Sequence, residues 1–216
     1  IDIFTHQAQL FPWIPFWQFF NNQDVLDKSI FSNKHIGDYN LQVANDLFFN
    51  SNYIDTIYKI ILETPLVEDK EYKYSDLGFY LMQPIAERLL SSKVEDYLYA
   101  KFYHPIEAFR ITYKPQEKYP LSSIVPTEND VNFRNQLIHG YVHDQGASLF
   151  GGVALHAGLF SNALDLMKLI SSGIMLILVD ICCNFFVSKP VTPLLSFPLS
   201  GLYLDQVPSN HSIFGL

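Results

Sequence analysis

Apolar side chains recur at helical spacing in two long segments of the chain. The first, residues 47–62, is closed by Pro65 and is predicted to form a helix. Its apolar stripe consists of Tyr53, Ile57, Ile60 and Ile61. The second segment predicts a helix that begins near Ser75 and is kinked by Pro84. Its apolar series, at i, i+4 spacing, is Leu77, Leu81, Ile85 and Leu89.

Three further helices are predicted from side chains that can cap a first turn. Ser92 with Glu95, and Thr127 with Asp130, have the spacing of a capping box. Ser161 is predicted to cap the last helix. These helices are expected to end at His104, about Gln136 and Gly173, and the last carries Leu164, Met167 and Ile170 on one face.

Two segments are predicted to be loops. The aromatic segment Phe11 to Phe20 contains two prolines, so we expect a loop rather than a regular helix. Its Trp13 and Trp17 have two interpretations, stacking on sugar rings or packing beneath the loop, and packing is the commoner use. Half of the ten glycines fall between residues 140 and 158, which predicts a tightly folded loop there.

The C-terminal part of the chain differs from the rest in its charge. Residues 169–216 contain only three of the 14 basic and 22 acidic residues. The longest apolar stretch, Ile174 to Val187, is shorter than the roughly 20 residues that a membrane-spanning helix needs, so we expect a buried strand pair or core helix and no transmembrane span. We therefore divide the chain into residues 1–170 and a divergent apolar tail, residues 171–216, which is a possible remnant of a sheet region.

Composition and charge exclude several classes of protein. Hydrophobic residues make up 49% of the chain and charged residues 17%, which indicates a packed globular protein. The net charge of −8 offers no basic surface to a phosphate backbone, so nucleic acid is not an expected partner. The only cysteines, Cys182 and Cys183, are adjacent, a spacing that does not favour a disulfide, and no zinc site or cofactor is expected.

Two local patterns are weak indications of a reactive site. His139 and His143 lie four residues apart with Asp144 beside them, but a glycine between them argues against a helical metal site. Hydrogen-bonded loop histidines are favoured instead. Ser148 lies in a sequence close to the Gly-x-Ser-x-Gly nucleophile elbow, but the second glycine is displaced by one residue, so we interpret Ser148 as an ordinary loop serine.

A series of short motifs runs through the chain in a fixed order. Tyr74-Ser75-Asp76, at the start of an apolar helix, resembles the second motif, Tyr-x-Asn or a close relative, of serine β-lactamases and penicillin-binding-protein-like hydrolases. Residues 4–10 are similar to the Leu-Thr-His-x-Ser/Ala-Gly-Leu segment of these proteins, with Gln9 in place of the glycine. The other matching segments are Pro126-Thr127-Glu128, Gly140-Tyr141-Val142-His143-Asp144, Gly151-Gly152-Val153-Ala154 and His156-Ala157-Gly158-Leu159-Phe160-Ser161. The series, from about Ile1 to Ile170, most resembles the β-lactamase-related module of bacterial envelope proteins, which is sometimes joined to a family 3 glycoside hydrolase domain.

This resemblance implies an α+β fold of the β-lactamase/DD-peptidase type, with this chain forming mostly the helical subdomain and an incomplete sheet. It implies a serine hydrolase of the bacterial cell envelope or periplasm that transfers the acyl group of a peptidoglycan-like amide, a β-lactam or an ester. No cofactor or metal is implied. Tyr74 is the implied catalytic residue, facing a cleft whose other wall is the loop of residues 151–161. The implied substrate-binding residues are Asp76, Gly152, His156 and Gly158.

The chemistry of such an enzyme places demands on both motif side chains. A serine that attacks a carbonyl needs a nearby base. A tyrosine, with an ordinary pKa of about 10, serves as that base only when neighbouring cations favour its phenolate. Asp76 stands where an asparagine amide is usual, and an ionised carboxylate only accepts hydrogen bonds. Asp76 therefore favours a substrate that brings a donor, or a structural role.

Two motifs of the superfamily are absent from the sequence. No serine is followed three residues later by a lysine, and Lys/His-Thr/Ser-Gly does not occur. Because the Thr-His segment normally follows the nucleophile, we expect the serine before Ile1 and the third motif after Leu216, which makes the chain a fragment without activity of its own. Two other interpretations stay open: a non-catalytic module that binds cell-wall glycan or a partner through Trp13, Trp17 and the acidic surface, and a degenerate product with no activity.

Overall fold

Short antiparallel strands form the sheet part of the molecule. This computed structural model describes residues 2–22, 25–68, 71–173 and 214–215. The strands within those ranges are β1 (Asn21–Asn22), β2 (Val25–Leu26), β3 (Phe31–Ser32), β4 (Tyr39–Ala44), β5 (Leu47–Asn50), β6 (Glu128–Asp130), β7 (Gln136–Ile138), β8 (Phe160–Ser161) and β9 (Phe214–Gly215). They pair as a three-stranded sheet of order β3–β5–β4 and as the two-stranded sheets β1–β2, β6–β7 and β8–β9.

Helices occupy much of the remaining described chain. The α-helices are α1 (Phe16–Phe19), α2 (Ile54–Glu63), α3 (Leu77–Leu90), α4 (Val94–Leu98), α5 (Gln145–Leu149) and α6, residues 163–173. Helix α4 continues as a wider π-helical turn, Tyr99–Tyr103. Single 3₁₀ turns are Ser51–Tyr53, Pro115–Glu117 and Leu121–Ser123. No helix among the described residues is long and apolar enough to cross a membrane.

The main hydrophobic core joins α1, α2 and α3 to the three-stranded sheet and to the β6–β7 hairpin. Aromatic rings fill its centre, where the Phe31 ring lies 5.3 Å from Phe49 and 5.6 Å from Phe133. Phe49 and Phe133 are fully buried. Each such buried aromatic contributes roughly 1.5–3 kcal/mol through the removal of its surface from water. The hairpin is thereby fixed against the sheet.

The helix predicted for residues 47–62 begins later than expected. Residues 47–50 form β5, whose side chains alternate between buried and half-buried positions, and α2 starts only at Ile54. A strand of four residues shows a period of two only briefly, so the longer helical pattern that follows it was extended over these residues. The predicted end before Pro65 is confirmed, and Ile57 and Ile61 face the core.

The predicted start of α3 is confirmed. Its first residue is Leu77, and the Ser75 hydroxyl oxygen accepts a hydrogen bond from the Leu77 amide at 3.2 Å while donating to the Phe11 carbonyl oxygen at 2.7 Å. Pro84 lies inside the helix. Of the predicted stripe, only Leu77 is buried; Leu81 is half-buried, and Ile85 and Leu89 are exposed.

The predicted helix at residues 127–136 is wrong. These residues form the β6–β7 hairpin, with Glu128 opposite Ile138. Asp130 does not cap a helix; its Oδ1 atom accepts hydrogen bonds from the amides of Asn132 and Phe133. That carboxylate therefore turns the chain back on itself, an alternative that short acidic side chains offer to the backbone.

Two predicted caps are also wrong. Helix α4 begins after Lys93 without a side-chain cap, and the Ser92 hydroxyl donates to the Lys93 carbonyl instead. Ser161 belongs to β8, and the side-chain oxygen of Asn162 accepts the Asp165 amide at 2.8 Å to begin α6. The apolar face predicted for that helix is exposed, at Leu164, Met167 and Ile170.

The aromatic segment contains a short helix that the sequence did not indicate. Helix α1 starts directly after Pro15, where a proline is compatible with a first turn. The Trp17 ring stacks on Phe133 at 5.7 Å, which confirms packing for this tryptophan and removes it from a sugar-stacking surface. Trp13 is 50% exposed.

Several sequence predictions lie outside the described residues. These are the apolar stretch Ile174 to Val187, the two cysteines and nearly all of the tail of residues 171–216. The division at residue 170 and the assignment to the β-lactamase/DD-peptidase fold therefore stay predictions. The mixture of helices and small antiparallel sheets has the elements of an α+β protein.

Candidate functional site

Tyr74 lies on the surface directly before helix α3. Its side chain is 54% exposed, and its hydroxyl donates a hydrogen bond to Asp76 Oδ1 at 2.9 Å. This hydrogen bond, followed by partial burial and the negative charges of Asp76 and Asp144, raises the pKa of Tyr74 above its ordinary value. Tyr74 is therefore a protonated, accessible hydroxyl in this arrangement.

The N-terminal segment holds the Tyr74 backbone in place. The Ser75 amide donates to His6 Nδ1 at 3.2 Å, and the Lys73 amide donates to the His6 carbonyl oxygen at 2.9 Å. The His6 ring also lies 4.5 Å from the Tyr74 ring and 5.7 Å from that of Tyr72. Two of the motifs recognised in the sequence, residues 4–10 and residues 74–76, therefore meet in space.

Asp144 and His156 form the second part of the site. Asp144 Oδ1 lies 3.4 Å from His156 Nε2 and accepts the Ala147 amide at 2.6 Å, which caps α5. Burial favours the neutral acid, but the hydrogen bonds from His156 and the Ala147 amide favour the carboxylate more, so the pKa of Asp144 lies below its usual range. The His156 side chain is 3% exposed and therefore contacts Asp144 from beneath the surface.

Tyr80 connects the two parts. It projects from the second turn of α3, is buried, and its ring lies 4.3 Å from that of His156. Burial first, then the charges of Asp144 and Asp76, raise the pKa of Tyr80 well above its usual value. Tyr80 therefore lies within the field of both carboxylates and links helix α3 to the loop that carries His156.

The predicted glycines Gly152 and Gly158 pack against each other. Both have positive φ, and a Cβ on Gly158 would overlap the Gly152 carbonyl oxygen. Close backbone packing therefore explains the glycine at position 158. Gly152 lines a recess of about 10 Å³, room for one water molecule, beside Gln42 and Tyr141. Neither Tyr74 nor Asp76 borders that recess.

Of the predicted site residues, Asp76 and His156 act on Tyr80, and Tyr74 is joined to them through its hydrogen bond to Asp76. Gly152 and Gly158 form a separate contact within the following loop. Sequence reasoning did not assign Asp144 or Tyr80 to the site. Asp144 was noted only beside His139 and His143 and as the end of the Gly-Tyr-Val-His-Asp motif, and Tyr80, six residues after Tyr74, belonged to no predicted motif.

The weaker candidates have structural roles. His139 Nε2 lies 2.8 and 2.7 Å from the carbonyl oxygens of Leu121 and Ile124, which confirms a hydrogen-bonded loop histidine. Ser148 is buried, and its hydroxyl donates to the Gln145 carbonyl oxygen at 2.7 Å. No group of three metal-ligating side chains occurs among the described residues.

Comparison with known proteins finds several relatives of this chain. Proteins of Salmonella gallinarum, Salmonella schwarzengrund and Salmonella paratyphi B, each named "Putative D-alanyl-D-alanine carboxypeptidase", are 31% identical to this chain over 144 residues. The match covers 60% of this chain and 33% of each relative, so the chain spans about a third of the length of these curated relatives. No family model and no solved structure matches. The relatives support a relationship to β-lactamase and penicillin-binding-protein-like hydrolases.

Proposed function

We propose that this chain supplies the Tyr74 region of a serine hydrolase of the β-lactamase/DD-peptidase type, which transfers the acyl group of a peptidoglycan-like amide, a β-lactam or an ester. One observation carries the proposal. The Tyr74 hydroxyl is accessible, is oriented by Asp76 at the start of α3, and lies within the field of Asp144. The names of the Salmonella relatives support a substrate related to peptidoglycan and a place of action at the cell wall or periplasm.

In such a reaction Tyr74 moves a proton. As the serine oxygen bonds to the carbonyl carbon, the serine proton must leave, and the departing nitrogen or oxygen must gain one. The lysine of the proposed Ser-x-x-Lys motif takes the serine proton as the serine attacks, a protonated Tyr74 gives its own proton to the leaving atom, and the lysine then returns a proton to the Tyr74 phenolate. Asp76 accepts the Tyr74 hydrogen bond in the resting arrangement and so holds the hydroxyl in one direction.

The remaining residues shape the site around that hydroxyl. Asp76, half-buried beside Tyr74, also offers an acceptor to a donor-bearing substrate. His156 and Gly158, expected from the resemblance to contact the substrate, act in this proposal from inside, through Asp144 and through the packing of the loop. Gly152 is proposed to contact the substrate, as the resemblance implies.

The nucleophile is part of the same proposal. Because the sequence contains no Ser-x-x-Lys and no Lys/His-Thr/Ser-Gly, we propose that another part of the intact protein supplies both motifs, and that this chain alone does not react. A module joined to a glycoside hydrolase is one form that such a protein would take. The chain incubated with a fluorescent penicillin and a fluorophosphonate should stay unlabelled, and stoichiometric labelling of one of its serines would contradict the proposal.

The full test uses the coding sequence on both sides of this chain. We expect an in-frame Ser-x-x-Lys, and the longest encoded product should be labelled by the same probes at that serine. Tyr74→Phe should then lower the labelling rate by about 10²–10⁴-fold, as loss of a general acid or base does. Tyr72→Phe is the matched control, because Tyr72 is a neighbouring exposed tyrosine. Equal rates for the Tyr74→Phe and Tyr72→Phe variants, or no Ser-x-x-Lys in frame, would refute the assignment.

A further inference from the structure

A buried guanidinium lies beneath the loop that carries Asp144. The Arg134 side chain is 0% exposed and uses all three of its nitrogens. Its Nε atom donates to Asp130 Oδ2 at 2.7 Å, and its Nη2 atom donates to Glu128 Oε1. Two carboxylates therefore neutralise one buried cation, which is the condition under which proteins accept a buried charge.

The other contacts of Arg134 lead directly to the candidate site. Nη1 donates to the Val142 carbonyl oxygen at 2.7 Å, and Nη2 donates to the His143 carbonyl oxygen at 2.8 Å. These two residues immediately precede Asp144. A planar guanidinium with donors in a fixed fork can bind two adjacent carbonyl oxygens at once, which a lysine ammonium does less well.

Asp144 is held from its other side by α5. Its side chain accepts the Ala147 amide, and its carbonyl oxygen accepts the Ser148 amide at 3.0 Å. The Asp144 carboxylate thus lies between two fixed structures, the Arg134-bound turn and the first turn of α5. Its distance from His156 Nε2, 3.4 Å, depends on both.

We infer that Arg134 is a positioning residue of the candidate site: it fixes the backbone at residues 142–143 and thereby sets the Asp144 carboxylate against His156. The inference rests on the proposed hydrolase function for its catalytic meaning. Glu128 takes part in the same positioning, because its second carboxylate oxygen lies 3.5 Å from His143 Nδ1. Residues 142–143 are thus held by Arg134 on their buried side and by Glu128 on the side of the exposed His143 ring.

The test compares Arg134→Lys with the unchanged 216-residue chain by NMR. We expect the pKa of Asp144, followed through its carboxyl carbon shift, to rise toward the ordinary value of about 3.9, because the histidine and amide contacts loosen. Hydrogen exchange at the Ala147 amide should accelerate by about tenfold or more beyond any change in the slowest-exchanging core amides. A purely stabilising role would accelerate all of them together.

Lys93→Gln is the matched control, because it breaks an exposed ion pair with Glu87 on other elements and should change neither readout. If Arg134→Lys does not fold, Glu128→Gln replaces it, since Glu128 is partly exposed and leaves three Arg134 contacts in place. We expect the same changes in smaller amount. An unchanged Asp144 pKa and Ala147 exchange in the folded variant would overturn the inference. Serine labelling decides the hydrolase function separately, so the two failures are distinguishable.

Discussion

Gly146 leaves room for the Tyr80 hydroxyl, which makes it a sensitive test of the site's packing. A Cβ on Gly146 would overlap the Tyr80 hydroxyl oxygen and lie 3.3 Å from Asp144 Oδ1. Alanine in place of glycine at an open helical position stabilises a protein by about 0.5–1 kcal/mol. Overpacking costs about 1–3 kcal/mol. We therefore expect Gly146→Ala to lower the free energy of unfolding by about 1–2 kcal/mol.

A second substitution identifies the atom responsible. Tyr80→Phe removes the hydroxyl oxygen, and the nearest ring atom to the new methyl group is then the Tyr80 Cζ position at 3.2 Å, a tight but adjustable contact. The cost of Gly146→Ala in the Tyr80→Phe background should fall to about 0.5 kcal/mol or less. The coupling free energy of the double-mutant cycle should therefore be about 1 kcal/mol.

Urea unfolding of the four proteins, followed by tryptophan fluorescence, measures this coupling. Gly173→Ala is a suitable control, because that glycine lies in α6 and no atom of the described residues lies within 4 Å of the added methyl group, so alanine there should not destabilise. Equal losses for Gly146→Ala in the two Tyr80 backgrounds would show that the hydroxyl is not the obstacle. The placement of Tyr80 against the Asp144 turn would then be wrong.

Three further outcomes follow from single contacts. The lowered pKa of Asp144 adds stability that is present above about pH 4 and is lost as the pH falls through the folded pKa, so Asp144→Asn should flatten the acid limb of a urea-midpoint profile. Asn162→Ala should cost about 1 kcal/mol in the same unfolding assay through loss of the α6 cap, whereas the Ser161 hydroxyl caps nothing. Trp17→Ala should cost about 3 kcal/mol and Trp13→Ala far less, and similar losses would contradict the stacking of Trp17 on Phe133.

Sequence reasoning succeeded where a local signal decides the structure. Helix α2 ends just before Pro65, because a proline ring without an amide hydrogen acts within one turn of its own position, and α3 begins at Leu77, where the predicted i, i+4 apolar series also begins. Tyr74 and Asp76 were identified in another way, from their resemblance to the Tyr-x-Asn motif. The two side chains lie two positions apart in the chain and are joined directly by a hydrogen bond.

Sequence reasoning failed where the same spacing of residues is compatible with both a helix and a hairpin. Asp130 and Arg134 are four residues apart, which suits a helical ion pair, yet they pair across the turn of a hairpin. The choice is made by the carbonyl oxygens of Val142 and His143, which lie eight and nine residues beyond Arg134 and provide its remaining acceptors. Local spacing contains no information about such partners. The Asp144 and His156 pair, twelve residues apart in a loop, was missed for the same reason.

The protonation of Tyr74 limits what the described residues can do by themselves. Each charged neighbour that shifts its pKa in the described part of the chain is acidic, and the hydrogen bond to Asp76 holds the proton on the phenol. The His6 ring lies 4.5 Å from the Tyr74 ring, and its Nδ1 atom accepts the Ser75 amide. In the proposed hydrolase, a phenolate base at Tyr74 would therefore require a cation from outside this set, such as a lysine beside the proposed serine nucleophile or an ammonium group on the proposed substrate. Without such a cation, the described residues favour Tyr74 as a proton donor. Titration of the Tyr74 hydroxyl in the chain alone should therefore show a pKa above 10, and the Asp76→Asn variant should lower that pKa.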